Sequence, residues 1–194
     1  MRILIIMIIP KLIIYLSTFI WVFPPLKQFR GRFFYYFLIL GIADPAAMAM
    51  HYLKIDLALH LYVISSAGML LCLPRTNKYL RPSYWIPIII LLFILVCILP
   101  VMDLMIIIGI IHILILFALL KYAVNYIFIN GKVQLFHLLL ITYETSIMLK
   151  FINTIFAWGT GKIEFFFITG FQILLGIMFC FIKEESPRLA LKFR

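Results

Sequence analysis

The chain has 194 residues, of which 66% are hydrophobic and only 12% are charged, and its formal net charge is +10. An ordinary soluble domain has about 25% charged residues, so this composition excludes a typical water-soluble protein and favours one that uses the bilayer as its solvent. The basic residues are scattered between apolar stretches. We therefore expect anionic lipid headgroups, and no nucleic acid, as their partners.

Seven apolar stretches follow one another, each close to the roughly 20 residues that a membrane-spanning helix needs. They cover residues 3–23, 33–52, 57–74, 84–101, 104–127, 134–157 and 163–182. A backbone in lipid must satisfy its own hydrogen bonds, and runs of this length are too long for barrel strands. The sequence predicts an all-α transmembrane bundle of about seven spans, one domain over residues 1–182, followed by a short basic cytoplasmic tail at 183–194.

Turn-forming residues separate these stretches. Pro24 and Pro25 follow the first stretch, and proline ends a helix because it lacks the backbone N–H. Asn130 and Gly131 predict a turn before the sixth span. Only residues 100–103 separate the fourth and fifth stretches, so the boundary there rests on Pro100.

Lysines and arginines are unevenly distributed between the two sides of the predicted bundle. Most fall in alternate gaps or the adjacent halves of spans: Lys27, Arg30, Arg32, Arg75, Lys78, Arg81, Lys121, Lys132, Lys183, Arg188, Lys192 and Arg194. The positive-inside rule assigns this side to the cytoplasm. We expect an integral protein of the cytoplasmic (inner) membrane with its N-terminus outside and its C-terminus in the cytoplasm. The aromatic run Phe33, Phe34, Tyr35 and Tyr36 is predicted to lie at the headgroups.

Asp44 is one of two acidic residues predicted inside a span. A charge at a helix centre costs about 2.5–3.5 kcal/mol on insertion scales, so it faces the bundle or a wet cavity. Pro45 frees a backbone carbonyl one turn back, and Gly41 with the nearby alanines allows a neighbouring helix to approach closely. Two interpretations stay open: a ligand, ion or proton site at a bent helix, or a buried acid that fixes helix packing.

The sixth predicted span carries the second acid, Glu144, and a polar stripe. Thr142, Ser146, Lys150 and Asn153 are four, four and three residues apart, so they occupy one helix face. Glu144 falls nearly opposite Thr142, and we expect it to meet a different helix. The stripe predicts either interhelical hydrogen bonds or part of a binding site, with Lys150 extending outward.

Three histidines, His51, His60 and His112, are predicted in the outer half of the bundle, and Asp44 shares a helix face with His51. Together they indicate a polar pocket open to the outside. Imidazole suits zinc, copper or iron, which makes the three histidines weak candidates for metal ligands. No two of them are four residues apart and no H-E-x-x-H motif occurs. We therefore expect no metal.

No nucleophile elbow, phosphate loop, dinucleotide fingerprint or haem attachment motif is present in the sequence. The sequence favours a non-enzymatic, receptor-like or accessory heptahelical module without a cofactor. We expect it to bind a small ligand, a lipid or a partner protein, with a membrane or cytoplasmic protein as partner. The candidate ligand-binding or ion-coupling residues are Asp44, His51, Glu144, Ser146, Lys150 and Asn153.

Two other hypotheses stay open. The first is a small-solute or proton-coupled transporter that uses Asp44 and Glu144. The second is an intramembrane metalloenzyme built on His51, His60 and His112.

Overall fold

The computed structural model describes residues 2–73, 98, 100–156, 162–184 and 190–192. Most of them are helical, as predicted. The helices are α1 (Arg2–Trp21), α2 (Pro24–Lys27), α3 (Phe34–Tyr52), α4 (Ala58–Cys72), α5 (Val101–Asn130), α6 (Leu135–Phe156) and α7 (Lys162–Phe181). Two short strands, β1 (Lys132–Gln134) and β2 (Ala190–Lys192), pair in antiparallel register with Val133 opposite Leu191. The predicted span 84–101 lies almost entirely outside the described residues.

Four described helices are long and apolar enough to cross a membrane. They are α3, most of α5, and nearly all of α6 and α7. Helix α4, which corresponds to the predicted span 57–74, is apolar but has only 15 residues. Its length of about 22 Å is less than the hydrocarbon thickness of about 30 Å. The four long helices are consistent with the predicted integral membrane protein, whereas a count of seven spans is not established by them.

The outer surface of the described helices is strongly apolar. Large side chains project from several helices, for example Leu12, Phe117, Phe128, Phe167 and Phe181. Phe167 alone is 80% exposed. Water-soluble monomers rarely expose contiguous apolar surface on this scale, so this surface is suited to contact with lipid chains.

Helices α1, α3, α4, α5, α6 and α7 form a closed ring, in which each packs on the next in chain order and α7 packs back on α1. Helices α3 and α6 both begin at one end of the ring, where the rings of Phe33 and Phe136 lie 5.4 Å apart. We call this the Phe33 end. The opposite end, where α3 finishes, is the His51 end. Helices that are consecutive among the described ones are therefore also neighbours in space.

Aromatic packing closes the ring interior at the Phe33 end. Phe33, Tyr36 and Phe37 are almost completely buried, as are Phe136 and Phe179. Phe33 and Tyr36, which were predicted at the headgroups together with Phe34 and Tyr35, therefore face the ring interior and not the outer surface. Tyr35, 63% exposed, points away from this core. Successive helical residues are about 100° apart, so adjacent aromatic residues cannot all face the same surroundings.

Close backbone contacts hold the ring together where α1 meets α3. A Cβ atom added at Gly41 would lie only 2.7 Å from the backbone oxygen of Trp21. Gly41 therefore lets the two helices approach closely, as its small size predicted. The buried Gln28 side chain donates a hydrogen bond of 2.8 Å to the Ile182 carbonyl, which joins the loop after α1 to the end of α7.

The predicted turn residues Pro100 and Gly131 flank α5, although the helix is longer than the predicted span 104–127. The helix begins at Val101, directly after an extended Pro100. It ends at Gly131, whose φ of 62° is in the left-handed region that favours glycine. Helix α5 thus runs from the His51 end to the Phe33 end, and β1 leads directly from its last turn into α6.

Candidate functional site

A hydrogen-bonded network centred on Glu144 crosses the interior of the ring. The Tyr36 hydroxyl donates to Glu144 Oε1, and His112 Nδ1 lies 2.8 Å from Glu144 Oε2. On the other side of the imidazole, Nε2 lies 3.1 Å from the Ser66 hydroxyl. Glu144 and Tyr36 are fully buried, so both carboxyl oxygens of Glu144 depend on these partners.

The four members of this network come from four consecutive helices of the ring. Tyr36 is on α3, Ser66 on α4, His112 on α5 and Glu144 on α6. The His112 ring also stacks on Phe151, with 5.8 Å between centroids and 27° between planes. A neutral imidazole with its hydrogen on Nδ1 donates to Glu144 and accepts from Ser66 at Nε2. The network therefore links a buried carboxyl group to a hydroxyl group through one imidazole ring.

A second polar cluster connects α6 to α7. Lys150 Nζ donates to Gln172 Oε1 over 2.7 Å, and Gln172 Nε2 donates to the Ser146 hydroxyl over 2.9 Å. Lys150 Nζ also lies 4.6 Å from the centroid of the Phe165 ring, in a cation–π arrangement. Lys150 was predicted to extend outward, and in the structure α7 offers its amino group an acceptor and an aromatic face beside the cavity.

Asp44 lies across the ring interior from this cluster. It accepts a hydrogen bond of 2.9 Å from the Tyr62 hydroxyl at Oδ1. Within the described residues, no ion pair of 4.0 Å or less joins Asp44 to Lys150. The carboxyl group of Asp44 and the amino group of Lys150 are thus each hydrogen-bonded to a neutral neighbour.

A cavity of about 370 Å³ occupies the interior between these groups. Every helix of the ring contributes a polar residue to its lining. These residues are Ser17 from α1, Asp44 from α3, Ser66 from α4, His112 from α5, Lys150 from α6 and Gln172 from α7. Most of the remaining lining is apolar, including Met48, Leu59, Met69 and Ile108. Small-molecule sites are typically apolar clefts of about 300–1,000 Å³ with a few placed polar groups.

Exposed lining residues mark where the cavity reaches the surface of the described structure. Ile14, Thr154 and Phe165 all line the cavity and are solvent-accessible. They belong to α1, α6 and α7. Thr154 is near the end of α6 and Phe165 near the start of α7, which places this rim toward the His51 end.

Only some of the predicted site residues line the cavity. Asp44 and Lys150 line the cavity, and Ser146 supports it through Gln172. Glu144 lies one hydrogen bond behind the wall, through His112. His51 is exposed at the end of α3, beside Tyr52, and is not among the lining residues. Asn153 is partly buried and does not line the cavity either.

The three candidate metal-binding histidines do not share one site. His112 is buried in the Glu144 network, His51 is exposed, and His60 is partly buried with no hydrogen-bond partner for its Nδ1 among the described atoms. Across the described ranges, no group of three or more histidine, cysteine or acidic side chains is arranged to hold a metal ion.

Four further residues of the site, Tyr36, Tyr62, Ser66 and Gln172, were not among the predicted site residues. A usable signal existed for two of them, because Tyr62 and Ser66 are four residues apart and share one face of α4. Gln172 gives a weaker signal, as a neutral amide in an otherwise apolar run. Tyr36 was assigned to the membrane interface, and its partner lies 108 residues away in the chain.

Chemically, the site combines a mainly apolar cavity with one acid, one amine and a buried imidazole–carboxyl pair. It can bind a small molecule through opposite charges, and it can pass a proton between Glu144 and the cavity wall. No protein-family model, no curated protein and no solved structure matches this chain.

Proposed function

We propose that the protein is a membrane-embedded, non-enzymatic module that binds a small ligand in the central cavity. The observation that carries this proposal is that all six ring helices each contribute a polar side chain to one largely apolar cavity. Helices can pack against one another without placing a polar side chain from each helix in one shared cavity. A site lined by apolar walls with a few fixed polar groups is the usual form of a small-molecule pocket.

The polar groups are preorganised, which supports binding. Lys150 is fixed by Gln172, and Gln172 is in turn fixed by Ser146. Asp44 is fixed by Tyr62. Since these side chains are already ordered, a ligand does not have to supply the free energy for ordering them, which is about 0.5–1.5 kcal/mol per flexible side chain.

We also propose the seven-span topology. Helix α4 ends at the Phe33 end and α5 begins at the His51 end, which supports one further crossing between them. The described basic residues of the connecting segments lie mainly at the Phe33 end, namely Lys27, Arg30, Arg32, Lys132, Lys183 and Lys192. By the positive-inside rule this end faces the cytoplasm, and the cavity rim then faces outward. The proposal assigns the protein to the cytoplasmic membrane, where a partner protein would receive any signal.

Filling the cavity provides the test of ligand binding. Ala43 is buried and lines the cavity, whereas its neighbour Ile42 is 56% exposed. In a thermal-shift screen of a fragment library in detergent, we expect some fragments to raise the Tm of the wild type and of Ile42→Phe. The same fragments should leave Ala43→Phe unchanged, because phenylalanine occupies the space. Equal stabilisation of both variants by every fragment would contradict the proposal.

A second candidate function is proton-coupled transport, favoured by one specific observation. His112 and Ser66 line the cavity, and they connect it to the buried Glu144 by successive hydrogen bonds. Such chains of carboxyl and imidazole groups inside membrane helices are typical of proton relays. Pro45, next to Asp44, interrupts the backbone hydrogen bonding of α3. Helices bend at proline, and bending of α3 at this point would open or close the cavity during transport.

Transport can be separated from binding in proteoliposomes. With an imposed pH gradient and a panel of radiolabelled small solutes, we expect gradient-dependent uptake by the wild type and by Asp56→Asn, whose side chain is exposed in the α3–α4 connection. Glu144→Gln should lose the dependence on the gradient, because an amide does not take up the proton. If no solute enters faster than in protein-free vesicles, the transport hypothesis is wrong and the binding module stands.

A further inference from the structure

Asp44 and Lys150 present an unusual combination of charges. Both line the same cavity, yet each is hydrogen-bonded to a neutral residue, and no ion pair joins them among the described residues. Charged groups inside a membrane protein normally pair with one another, because an isolated charge is costly in that environment. An acidic and a basic side chain that line one cavity without forming an ion pair leave room for a ligand that bridges them.

Each charged group also keeps unused hydrogen-bonding capacity. Tyr62 occupies Oδ1 of Asp44, and no described hydrogen bond reaches Oδ2. The ammonium group of Lys150 has three donors, of which one is given to Gln172. A ligand ammonium group can therefore bind Asp44, and a ligand carboxylate can bind Lys150, without displacing either existing partner.

We propose that the ligand of this cavity is a small zwitterion with an apolar body, of the class of a large apolar α-amino acid. This inference rests on the ligand-binding function proposed above and specifies its substrate class. The ammonium group would bind Asp44 and the carboxylate Lys150. The body would pack on the apolar lining formed by Met48, Leu59, Met69 and Ile108.

The size and charge of the cavity both narrow the class. Its volume of about 370 Å³ is at the lower limit for ligand pockets, which disfavours a whole phospholipid with two acyl chains. A simple anion bound to Lys150 would also face Asp44, and a simple cation bound to Asp44 would face Lys150. Repulsion between these like charges would weaken the binding of either simple ion. A molecule that carries both charges avoids this repulsion.

Three matched probes test the proposal by isothermal titration calorimetry of the purified full chain in detergent. They are L-phenylalanine, 3-phenylpropionate, which lacks the ammonium group, and phenethylamine, which lacks the carboxylate. We expect L-phenylalanine to bind about tenfold or more tighter than either single-charge probe, since each added charged hydrogen bond contributes at least that factor.

Variants of the two charged residues should lose the preference for L-phenylalanine over one of the single-charge probes. In Asp44→Asn, L-phenylalanine should bind no better than 3-phenylpropionate, and in Lys150→Gln no better than phenethylamine. Both replacements keep a side-chain atom that can hydrogen-bond the original neighbour, so we expect both variants to fold. A Tm equal to that of the wild type verifies this for each variant. The matched controls Asp56→Asn and Lys54→Gln, both exposed at the His51 end, should retain the wild-type order of affinities.

Other outcomes would overturn the assignment. If a single-charge probe bound as tightly as L-phenylalanine, the zwitterion class would be wrong, although ligand binding would stand. Tighter binding of glycerophosphoethanolamine, a zwitterion without an apolar body, would instead identify a lipid headgroup as the ligand. If none of the probes bound while the Ala43-sensitive fragments did, the class would again be wrong. The failure of those fragments as well would refute the proposed function itself.

Discussion

Replacing Glu144 by alanine is expected to lower the free energy of unfolding by about 2–6 kcal/mol, because it leaves two buried donors unpaired at a cost of about 1–3 kcal/mol each. Glu144 is fully buried and is the shared acceptor for Tyr36 and His112. Without it, the Tyr36 hydroxyl and His112 Nδ1 lose their acceptor in the ring interior. The measurement is equilibrium unfolding in mixed micelles, followed by far-UV circular dichroism.

Companion variants show whether the loss comes from the network. Asp56→Asn removes an exposed acid and should change stability by less than about 0.5 kcal/mol. Tyr36→Phe alone should cost about 1–2 kcal/mol, and its effect should largely vanish when Glu144 is already alanine, because residues in one hydrogen-bond network are not additive. Strict additivity of the two substitutions would argue against the network.

Phe37→Ala is expected to destabilise the protein by about 3–5 kcal/mol. Phe37 is fully buried, and its ring lies 4.9 Å from that of Phe179 and 6.1 Å from that of Phe136. Alanine would leave a void between α3, α6 and α7. Between helices in lipid, association depends on van der Waals packing more than on burial from water, so a void at this point is especially costly.

The matched control is Phe167→Ala, in which the same atoms are removed from a side chain that is 80% exposed. Lipid chains can fill the space left there, and stability should change by less than about 0.5 kcal/mol. The same unfolding titration measures both variants. A comparable loss in Phe167→Ala would mean that this surface contacts protein instead of lipid.

Span positions could be predicted well because bilayer thickness sets the length of the apolar run. Predicted span 33–52 became Phe34–Tyr52, and 134–157 became Leu135–Phe156. Helix α5 extends three residues beyond each end of the predicted 104–127, because Pro100 and Gly131 set its limits. The proposed count of seven depends on span 84–101, which lies almost entirely outside the described residues.

The sequence could predict that Asp44 and Glu144 face the bundle interior, since charged side chains are costly in lipid. Their partners could not be predicted, because partnership depends on which helices are neighbours and how each is rotated about its axis. His112 and Glu144 are 32 residues apart in the chain. The sequence placed His112 only in the outer half of the bundle, which did not identify Glu144 as its partner.

For Lys150 and Tyr36, the usual positions of lysine and aromatic residues in membrane helices do not give the observed contacts. Lysines near span ends usually extend to the headgroups, but Gln172 and Phe165 of α7 offer Lys150 better partners. Aromatic residues at span ends usually lie in the interfacial belt, but Tyr36 reaches Glu144. In both cases a partner far away in sequence decides the orientation.

The closure of the helix ring has a consequence for how the protein is made. Helix α1 leaves the ribosome first, yet its Trp21 packs on Phe179 of α7, and Gln28 bonds to Ile182 beyond α7. These contacts cannot form until nearly all of the described chain has been synthesised. The earlier helices must therefore remain in the insertion machinery or the bilayer without their final partner. The central cavity is complete only after α7 has packed against α1.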